Sequence, residues 1–240
     1  MGLACPPVPG RIPARRSGPL GRDAMARYFI RVLRLEPLLG VQMGSADSID
    51  PLNYYNLEDF LFGAVRERFE RDHSLSAFDF FSIIIWKANR AKSKVAVNLM
   101  KCDRQRRGDL EAIVRALTSE VWDQPDEQSR LKILLEIWGM RLPMASAILS
   151  VLWPEQFTVY DVRVCGELLN KGCDDFKRLA ELKSFEGLWK GYCRYVNAVR
   201  TAVNREVSLR DKDRFLWGQS AKRQLESDIQ NCFQRAKGGG

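Results

Sequence analysis

A single acidic residue, Asp161, ends the stretch GMRLPMASAILSVLWPEQFTVYD, which covers residues 139–161. A glycine-led turn opens this stretch, an apolar segment follows, and a proline-containing loop leads to the aspartate. Aspartate is a preferred helix N-cap, so capping of the next helix is one interpretation of Asp161. A fixed carboxylate can also stabilise a developing positive charge or orient a water molecule, which makes catalysis the second interpretation. The two roles are compatible, and both stay open.

Basic residues are concentrated in one segment, residues 87–107. The chain has 38 Lys and Arg against 30 Asp and Glu, a formal net charge of +8. The segment holds eight basic residues and one acidic residue, so eight minus one places +7 there. Such a cluster is typical of a surface that binds a polyanion, nucleic acid above all. A solvated helix face is the ordinary alternative. The candidates for contacts to a nucleic-acid backbone are Lys87, Arg90, Lys92 and Lys94.

Apolar residues recur at helical spacing along most of the chain, which predicts a compact all-α fold of eight to ten helices. Gly139 suits the end of one helix and Pro143 suits the first turn of the next, so a helical hairpin is expected over 125–152. The β-branched run Ile83–Ile85 leaves a strand as the alternative within 76–90. The pattern predicts helices over 56–73, 76–90, 108–122, 125–138, 161–172, 185–206 and 208–236.

The composition, with 45% hydrophobic and 28% charged residues, is typical of a soluble globular protein. No stretch reaches the roughly 20 apolar residues of a membrane span. Residues 1–24 are expected to form a disordered leader because they are rich in Pro, Gly and Arg. One helical domain is expected over 25–236, with two lobes as the alternative, followed by a tail over 237–240. A cytoplasmic location without membrane contact is expected, with nucleoid association in a bacterium.

Cysteine and histidine residues do not form a recognisable metal site. The six cysteines include no CxxC pair, and His73 is the sole histidine. This set is unsuited to zinc, and its spacing lacks the clustering of iron–sulfur ligands. We therefore expect reduced thiols, no metal and no cofactor.

The stretch that ends at Asp161 resembles the signature of the helix-hairpin-helix DNA glycosylase superfamily, in its 8-oxoguanine glycosylase-like branch. That signature is a hairpin of the form L-P-G-[hydrophobic]-G-x-[K/S/W]-x-A, followed by an apolar helix, a proline and V-D-x-x-V. Gly139 matches the first hairpin glycine, Met140 the hydrophobic residue and Ala145 the alanine. Asp161 then falls on the catalytic aspartate of the family, and Val164 on the hydrophobic position after it. The resemblance covers roughly thirty residues.

Two hairpin positions depart from the family pattern. Arg141 stands at the second glycine, where a charge-assisted phosphate contact would replace close approach of bare backbone. Pro143 stands where bifunctional members carry a lysine, and proline has no amine to form the Schiff base that drives strand cleavage. The resemblance therefore implies a monofunctional glycosylase without lysine-dependent strand cleavage.

The activity that the resemblance implies is hydrolysis of the N-glycosidic bond of a damaged or modified base in double-stranded DNA. Asp161 would stabilise the oxocarbenium-like sugar, and Tyr160 is the candidate for contact with the flipped base. Gly139, Met140 and Arg141 would hold the DNA backbone, with a monovalent cation at the hairpin, and the protein would act as a monomer. Two alternatives stay open. One is a non-catalytic nucleic-acid-binding protein that kept the fold, and the other is a helical protein that binds an acidic partner.

Overall fold

Helices form the regular structure of residues 51–234, which are the residues described in this computed structural model. No strand occurs among them, so the expected all-α fold is confirmed for this part of the chain. The predicted leader (1–24) and tail (237–240) lie outside it. The helices are α1 (Leu57–Phe60), α2 (Arg66–Asp72), α3 (Ala77–Ala88), α4 (Lys92–Cys102), α5 (Leu110–Trp122), α6 (Glu127–Lys132), α7 (Leu142–Leu152), α8 (Val162–Asn170), α9 (Phe185–Ala202) and α10 (Leu209–Gln230).

Short polar side chains fix the starts of several helices. The Ser76 hydroxyl accepts the Asp79 N–H at the start of α3, and the Asp126 carboxylate accepts the Ser129 N–H at the start of α6. Each such cap satisfies a backbone donor that has no partner within its helix and stabilises by about 1 kcal/mol. The run Ile83–Ile85 lies within α3, so the strand alternative is wrong. Burial of Ile83 and Ile84 explains this outcome, because packing outweighs their weak helix propensity.

Two helical arms joined by a short turn lie within 125–152, the range expected for the hairpin. Its first arm is α6, which a π-helical turn (Ile133–Ile137) extends to Trp138. Gly139 then takes the left-handed conformation, with φ of 61°, and a Cβ atom there would lie 3.2 Å from the side-chain nitrogen of Asn98. The second arm is α7, of whose eleven residues nine are buried. The hairpin therefore places its second helix in the centre of the core.

Two helix pairs bring the functional residues together. Helix α3 packs against α7, and α8 packs along α10. The C-terminal end of α3 meets the N-terminal end of α8, where Lys87 Nζ lies 2.6 Å from Asp161 Oδ2. The helix dipole favours a cation at the C-terminal end of α3 and an anion at the N-terminal end of α8. Within residues 51–234, no helix is both long and apolar enough to cross a membrane.

Candidate functional site

An extended segment before α8 is held in place by two tyrosines of α9. The Tyr192 hydroxyl donates to the Thr158 carbonyl at 2.6 Å, and the Tyr195 hydroxyl donates to the Val159 carbonyl at 2.9 Å. The Tyr195 oxygen also accepts the Asp161 N–H at 3.4 Å. Burial raises the pKa of both phenols, so the two hydroxyls stay protonated donors at neutral pH. These bonds fix the backbone immediately before and at Asp161.

Asp161 uses its two carboxylate oxygens for different contacts. Its Oδ1 accepts the Arg163 N–H at 2.9 Å, which confirms Asp161 as the N-cap of α8. Its Oδ2 accepts from Lys87 Nζ at 2.6 Å, and the two side chains are only 21% and 14% exposed. Capping therefore occupies one oxygen alone. The other belongs to a half-buried ion pair between residues 74 positions apart.

A cavity of about 400 Å³ opens beside the Lys87–Asp161 pair, and we call it the indole cavity. Two tryptophans, Trp86 at the end of α3 and Trp217 on α10, are part of its lining. Its volume is within the range of small-ligand sites. Its complete lining is Glu58, Trp86, Lys87, Val159, Asp161, Arg210, Asp213, Arg214 and Trp217.

Charged groups on one wall of the indole cavity form a connected network. Arg210 donates to Glu58 at 2.8 Å, contacts the Asp213 carboxylate, and lies 5.0 Å from the centre of the Trp86 ring. Asp213 is only 3% exposed. Burial raises its pKa to about 6, although the positive charges of Arg210 and Lys87 act in the opposite direction. The network thus contains a carboxyl group that titrates near neutral pH.

Replacing Asp213 with asparagine is expected to change how stability depends on pH. The folded-state pKa of Asp213 lies above its ordinary value of 3.8, so the folded chain binds this proton more tightly than the unfolded chain. The resulting stabilisation is complete below pH 4 and is lost as the pH rises through about 6. The Asp213→Asn side chain does not titrate, so the variant does not lose this stabilisation as the pH rises. In urea unfolding, the free energy of unfolding of the variant should therefore rise relative to that of wild type between pH 4 and pH 7, by up to about 3 kcal/mol. A difference that stays constant across this range would contradict the expectation.

A second concavity, of about 580 Å³, lies on the other side of Lys87, and we call it the basic groove. It runs between α4, the hairpin turn and the 3₁₀ turn Leu179–Glu181. Five of its lining residues are basic and one, Glu181, is acidic. Lys87 lines both concavities. The basic residues of the groove are Lys87, Lys94, Lys101, Arg141 and Lys177.

The groove brings together most of the residues that the sequence indicated for DNA contact. The ones that line it are Lys87, Lys94, Gly139, Met140 and Arg141. Arg90 and Lys92 do not line it, and Lys92 Nζ donates to the Asn89 side chain at 2.7 Å. Contact of any of these residues with DNA stays a prediction.

The backbone N–H of Met140, in the hairpin turn, already has a hydrogen-bond acceptor. The Met140 N–H donates to the Leu134 carbonyl at 2.9 Å, so it is not available to a phosphate. Arg141, in contrast, is exposed at the groove. A phosphate contact here therefore depends on the Arg141 side chain more than on the Met140 backbone.

A monovalent cation at the hairpin would need backbone carbonyl oxygens as ligands. The Trp138 carbonyl already accepts the Asn98 side-chain amide at 2.8 Å, and the Arg141 carbonyl accepts two N–H groups of α7. A cation at the hairpin stays a prediction. Among the described residues, no group of three or more His, Cys, Asp or Glu side chains could hold a metal ion.

Tyr160, the residue expected to contact a base, lies almost wholly inside the core at 1% exposure. Its hydroxyl donates to the Phe176 carbonyl at 2.7 Å, and its ring packs edge-on against Tyr195. Contact between Tyr160 and a base stays a prediction. Two tryptophans, Trp86 and Trp217, line the indole cavity.

The charged wall of the indole cavity was not predicted from the sequence, although the sequence contains a signal for it. Arg210, Asp213, Arg214 and Trp217 follow one another at spacings of three, one and three residues. On a helix these positions share one face, because 3.6 residues complete a turn. The apolar periodicity of α10 predicts its helical structure but does not indicate this polar face.

Comparison with protein-family models, with curated proteins and with solved structures gave no match to this chain.

Proposed function

We propose that this protein is a DNA glycosylase, which removes a modified base from double-stranded DNA by cleaving its N-glycosidic bond. The observation that carries the proposal is the position of Asp161. Its half-buried carboxylate lies at the indole cavity, and its partner Lys87 also lines the basic groove. A polyanion site and a cavity suited to a flat ring thus meet at Lys87, the ion-pair partner of this carboxylate. The resemblance around the hairpin supports the same conclusion.

The basic groove is the part of the surface that suits the DNA backbone. Five cations against one carboxylate create a positive potential, which attracts phosphates without regard to sequence. Lys94, Lys101 and Arg141 are exposed, so their charges can reach a bound duplex. The hairpin contributes Arg141, as expected for a helix-hairpin-helix element that holds the phosphate backbone.

The indole cavity is the part that suits an extruded base. Trp86 and Trp217 offer flat surfaces for stacking, which contributes about 1–3 kcal/mol per base in single-strand-binding proteins. Glu58, Arg210 and Asp213 offer acceptors and donors for the edge of a base. Extrusion costs a few kcal/mol of lost stacking, and contacts of these two kinds can offset that cost.

Asp161 is the residue we assign to the chemical step. Departure of the base leaves positive charge on the sugar, and a fixed carboxylate beside it stabilises that charge. Asp161 can also orient the attacking water, because capping leaves Oδ2 free of backbone contacts. The Lys87 charge opposes this stabilisation while the ion pair is closed. A phosphate bound in the groove gives Lys87 a second anionic partner and so releases Asp161.

The experiment that tests the proposal is base release from synthetic duplexes that each carry one modified base. The panel should include oxidised purines, alkylated purines, hypoxanthine and deaminated pyrimidines, with free base measured by liquid chromatography. Wild type is expected to release at least one base class and to leave an abasic site. Absence of release from every duplex would contradict the proposal.

A non-catalytic nucleic-acid-binding protein is the second candidate function. The closed Lys87–Asp161 pair favours it, because Lys87 neutralises the carboxylate in the structure as it stands. Such a protein would bind duplexes tightly with no release of any base. Measuring both duplex binding and release of free base on the same panel of duplexes separates the two functions.

The basic groove predicts a specific salt dependence of duplex binding. The logarithm of the binding constant falls as the logarithm of the salt concentration rises, and each phosphate contact makes this negative slope steeper by about one. The double variant Lys94→Gln, Lys101→Gln should therefore have a slope that is shallower by roughly two. Fluorescence anisotropy at several potassium chloride concentrations measures the slope. Lys190→Gln on α9, an exposed lysine paired with Glu186, is the control and should leave the slope unchanged. Equal slopes in wild type and in the double variant would contradict a groove-bound duplex.

A further inference from the structure

We infer that Ser146 is a positioning residue of this site, whose hydroxyl joins the hairpin to the backbone beside Asp161. The inference rests on the proposed function for the reaction that Asp161 assists. Ser146 is fully buried in α7, so it acts on that reaction through the position of Asp161 and not by contact with DNA.

The Ser146 hydroxyl contacts two segments of the chain. It donates to the Pro143 carbonyl at 3.3 Å, and its oxygen accepts the Tyr160 N–H at 2.9 Å. Pro143 lines the basic groove, as does Arg141. Tyr160 directly precedes Asp161. One buried side chain thus connects the wall of the groove that suits phosphates to the segment that carries the carboxylate.

The bond from Tyr160 to Ser146 is the stronger of two N–H contacts at the carboxylate. Tyr160 is only 1% exposed, so water is not at hand as another acceptor for its N–H. The next donor along the chain, the Asp161 N–H, lies 3.4 Å from the Tyr195 oxygen, which is at the limit of a hydrogen bond. Without the 2.9 Å bond to Ser146, we expect the backbone of residues 160–161 to shift and the carboxylate to move with it.

Ser150, one turn further along α7, is a close structural match for Ser146. It is 1% exposed, and it donates to the Ala147 carbonyl at 2.9 Å in the way that Ser146 donates to Pro143. Within residues 51–234, the hydroxyl of Ser150 bonds only inside α7, whereas that of Ser146 also accepts a bond from a distant segment. The two serines share residue type, helix and burial, and they differ in the bond to Tyr160.

The experiment that tests this inference compares Ser146→Ala, Ser146→Thr and Ser150→Ala in the full chain. Each variant is assayed on a duplex from which wild type releases base, for the single-turnover rate at saturating protein and for Kd by anisotropy. Urea unfolding gives the folded fraction, and the rate is expressed per folded molecule.

The two variants of Ser146 separate positioning from stability. Ser146→Thr keeps the hydroxyl, and a threonine oxygen in a helix can bond the carbonyl three or four residues earlier, as Ser146 does. Its added methyl group enters a fully buried position, so overpacking should lower the urea midpoint. Ser146→Ala should lower the midpoint as well, because it leaves the buried Tyr160 N–H without its acceptor. Only Ser146→Ala removes the bond that holds the carboxylate in place.

Ser146→Ala is expected to release base about 10²-fold more slowly than wild type at unchanged Kd, because a displacement of about 1 Å at a reacting group has a cost of this size. Ser146→Thr and Ser150→Ala should keep the wild-type rate per folded molecule. A wild-type rate in Ser146→Ala, or an equal loss of rate in Ser146→Thr, would overturn the inference. If Ser146→Ala does not fold, Ser146→Cys, whose thiol is a weak acceptor, should be slower than Ser150→Cys, and equal rates would overturn the inference.

The same data distinguish failure of this inference from failure of the proposed function. Base release by wild type and by Ser146→Ala at equal rates would remove the role of Ser146 and leave the glycosylase proposal intact. Absence of release by wild type from every duplex of the lesion panel would overturn the proposed function, and the role of Ser146 with it.

Discussion

Asp161→Asn is expected to lower the rate of base release by at least about 10²–10³-fold, the usual cost of removing one electrostatic contact to a transition state. Asparagine has the shape of aspartate but not its charge, so it stabilises a cationic sugar poorly. It is as good an N-cap as aspartate, and α8 should keep its start. Removal of a negative charge beside the basic groove should leave duplex affinity unchanged or raise it. Single-turnover kinetics, with anisotropy for binding, measure the two effects separately.

The control for this variant is Asp109→Asn, which changes another capping aspartate. Asp109 accepts the N–H groups of Glu111 and Ala112 at the start of α5, and it lines neither concavity. The Asp109→Asn variant should keep the wild-type rate of base release and the wild-type affinity for the duplex. If Asp161→Asn released base as fast as Asp109→Asn does, Asp161 would be a cap and nothing more.

Arg210→Met is expected to destabilise the protein by about 3 kcal/mol at pH 7, because removal of one partner of a buried ion pair leaves the other charge uncompensated. The side chains of Arg210 and Asp213 are 15% and 4% exposed. Arg210 also holds Glu58, so the variant leaves two carboxylates without this partner. The loss should be smaller at pH 5, because the pKa of Asp213 is about 6 already and rises further without the arginine. Urea unfolding at both pH values measures the difference.

Two further variants separate charge from packing in this network. Arg214 lies one turn away on α10 and also contacts Glu58, at 3.3 Å, but its side chain is 57% exposed. Arg214→Met should cost no more than about 1 kcal/mol, as is usual for solvent-exposed pairs. Adding Asp213→Leu to Arg210→Met should recover much of the lost stability. A double variant that is less stable than Arg210→Met would show that packing, rather than the unpaired carboxylate, determines the loss.

Local signals were sufficient to predict much of the fold. The helical spacing of apolar residues, together with Gly139 and Pro143, predicted the hairpin that the structure contains. The sequence assigned no element to 91–107, where α4 (Lys92–Cys102) forms. Five of the eleven residues of α4 are polar or charged, and Leu99 is its one fully buried apolar side chain, so the apolar period is weak there. Helix α4 is thus stabilised by its packing on α5, which no local pattern shows.

The candidate site could be predicted only in part, because it depends on contacts between distant segments. Asp161 was identified from its local context, and its capping role followed from residue type alone. The Lys87–Asp161 pair spans 74 positions, and its members come together only in the folded chain, where the end of α3 meets the start of α8. Lys87 was therefore assigned to backbone contact with DNA as one of several basic residues. The sequence indicated Tyr192 and Tyr195 only as members of the apolar face of a helix. In the structure their hydroxyls hold the segment before α8 and so position the site.

The measurement that tests the central claim most directly is release of free base by wild type and by Asp161→Asn, run side by side on the lesion panel under single-turnover conditions. We predict that wild type releases a modified base from at least one duplex and leaves an abasic strand. The variant should bind the same duplex and release essentially no base. Equal release by both proteins would contradict the role of Asp161, and no release by wild type from any duplex would contradict the glycosylase function itself.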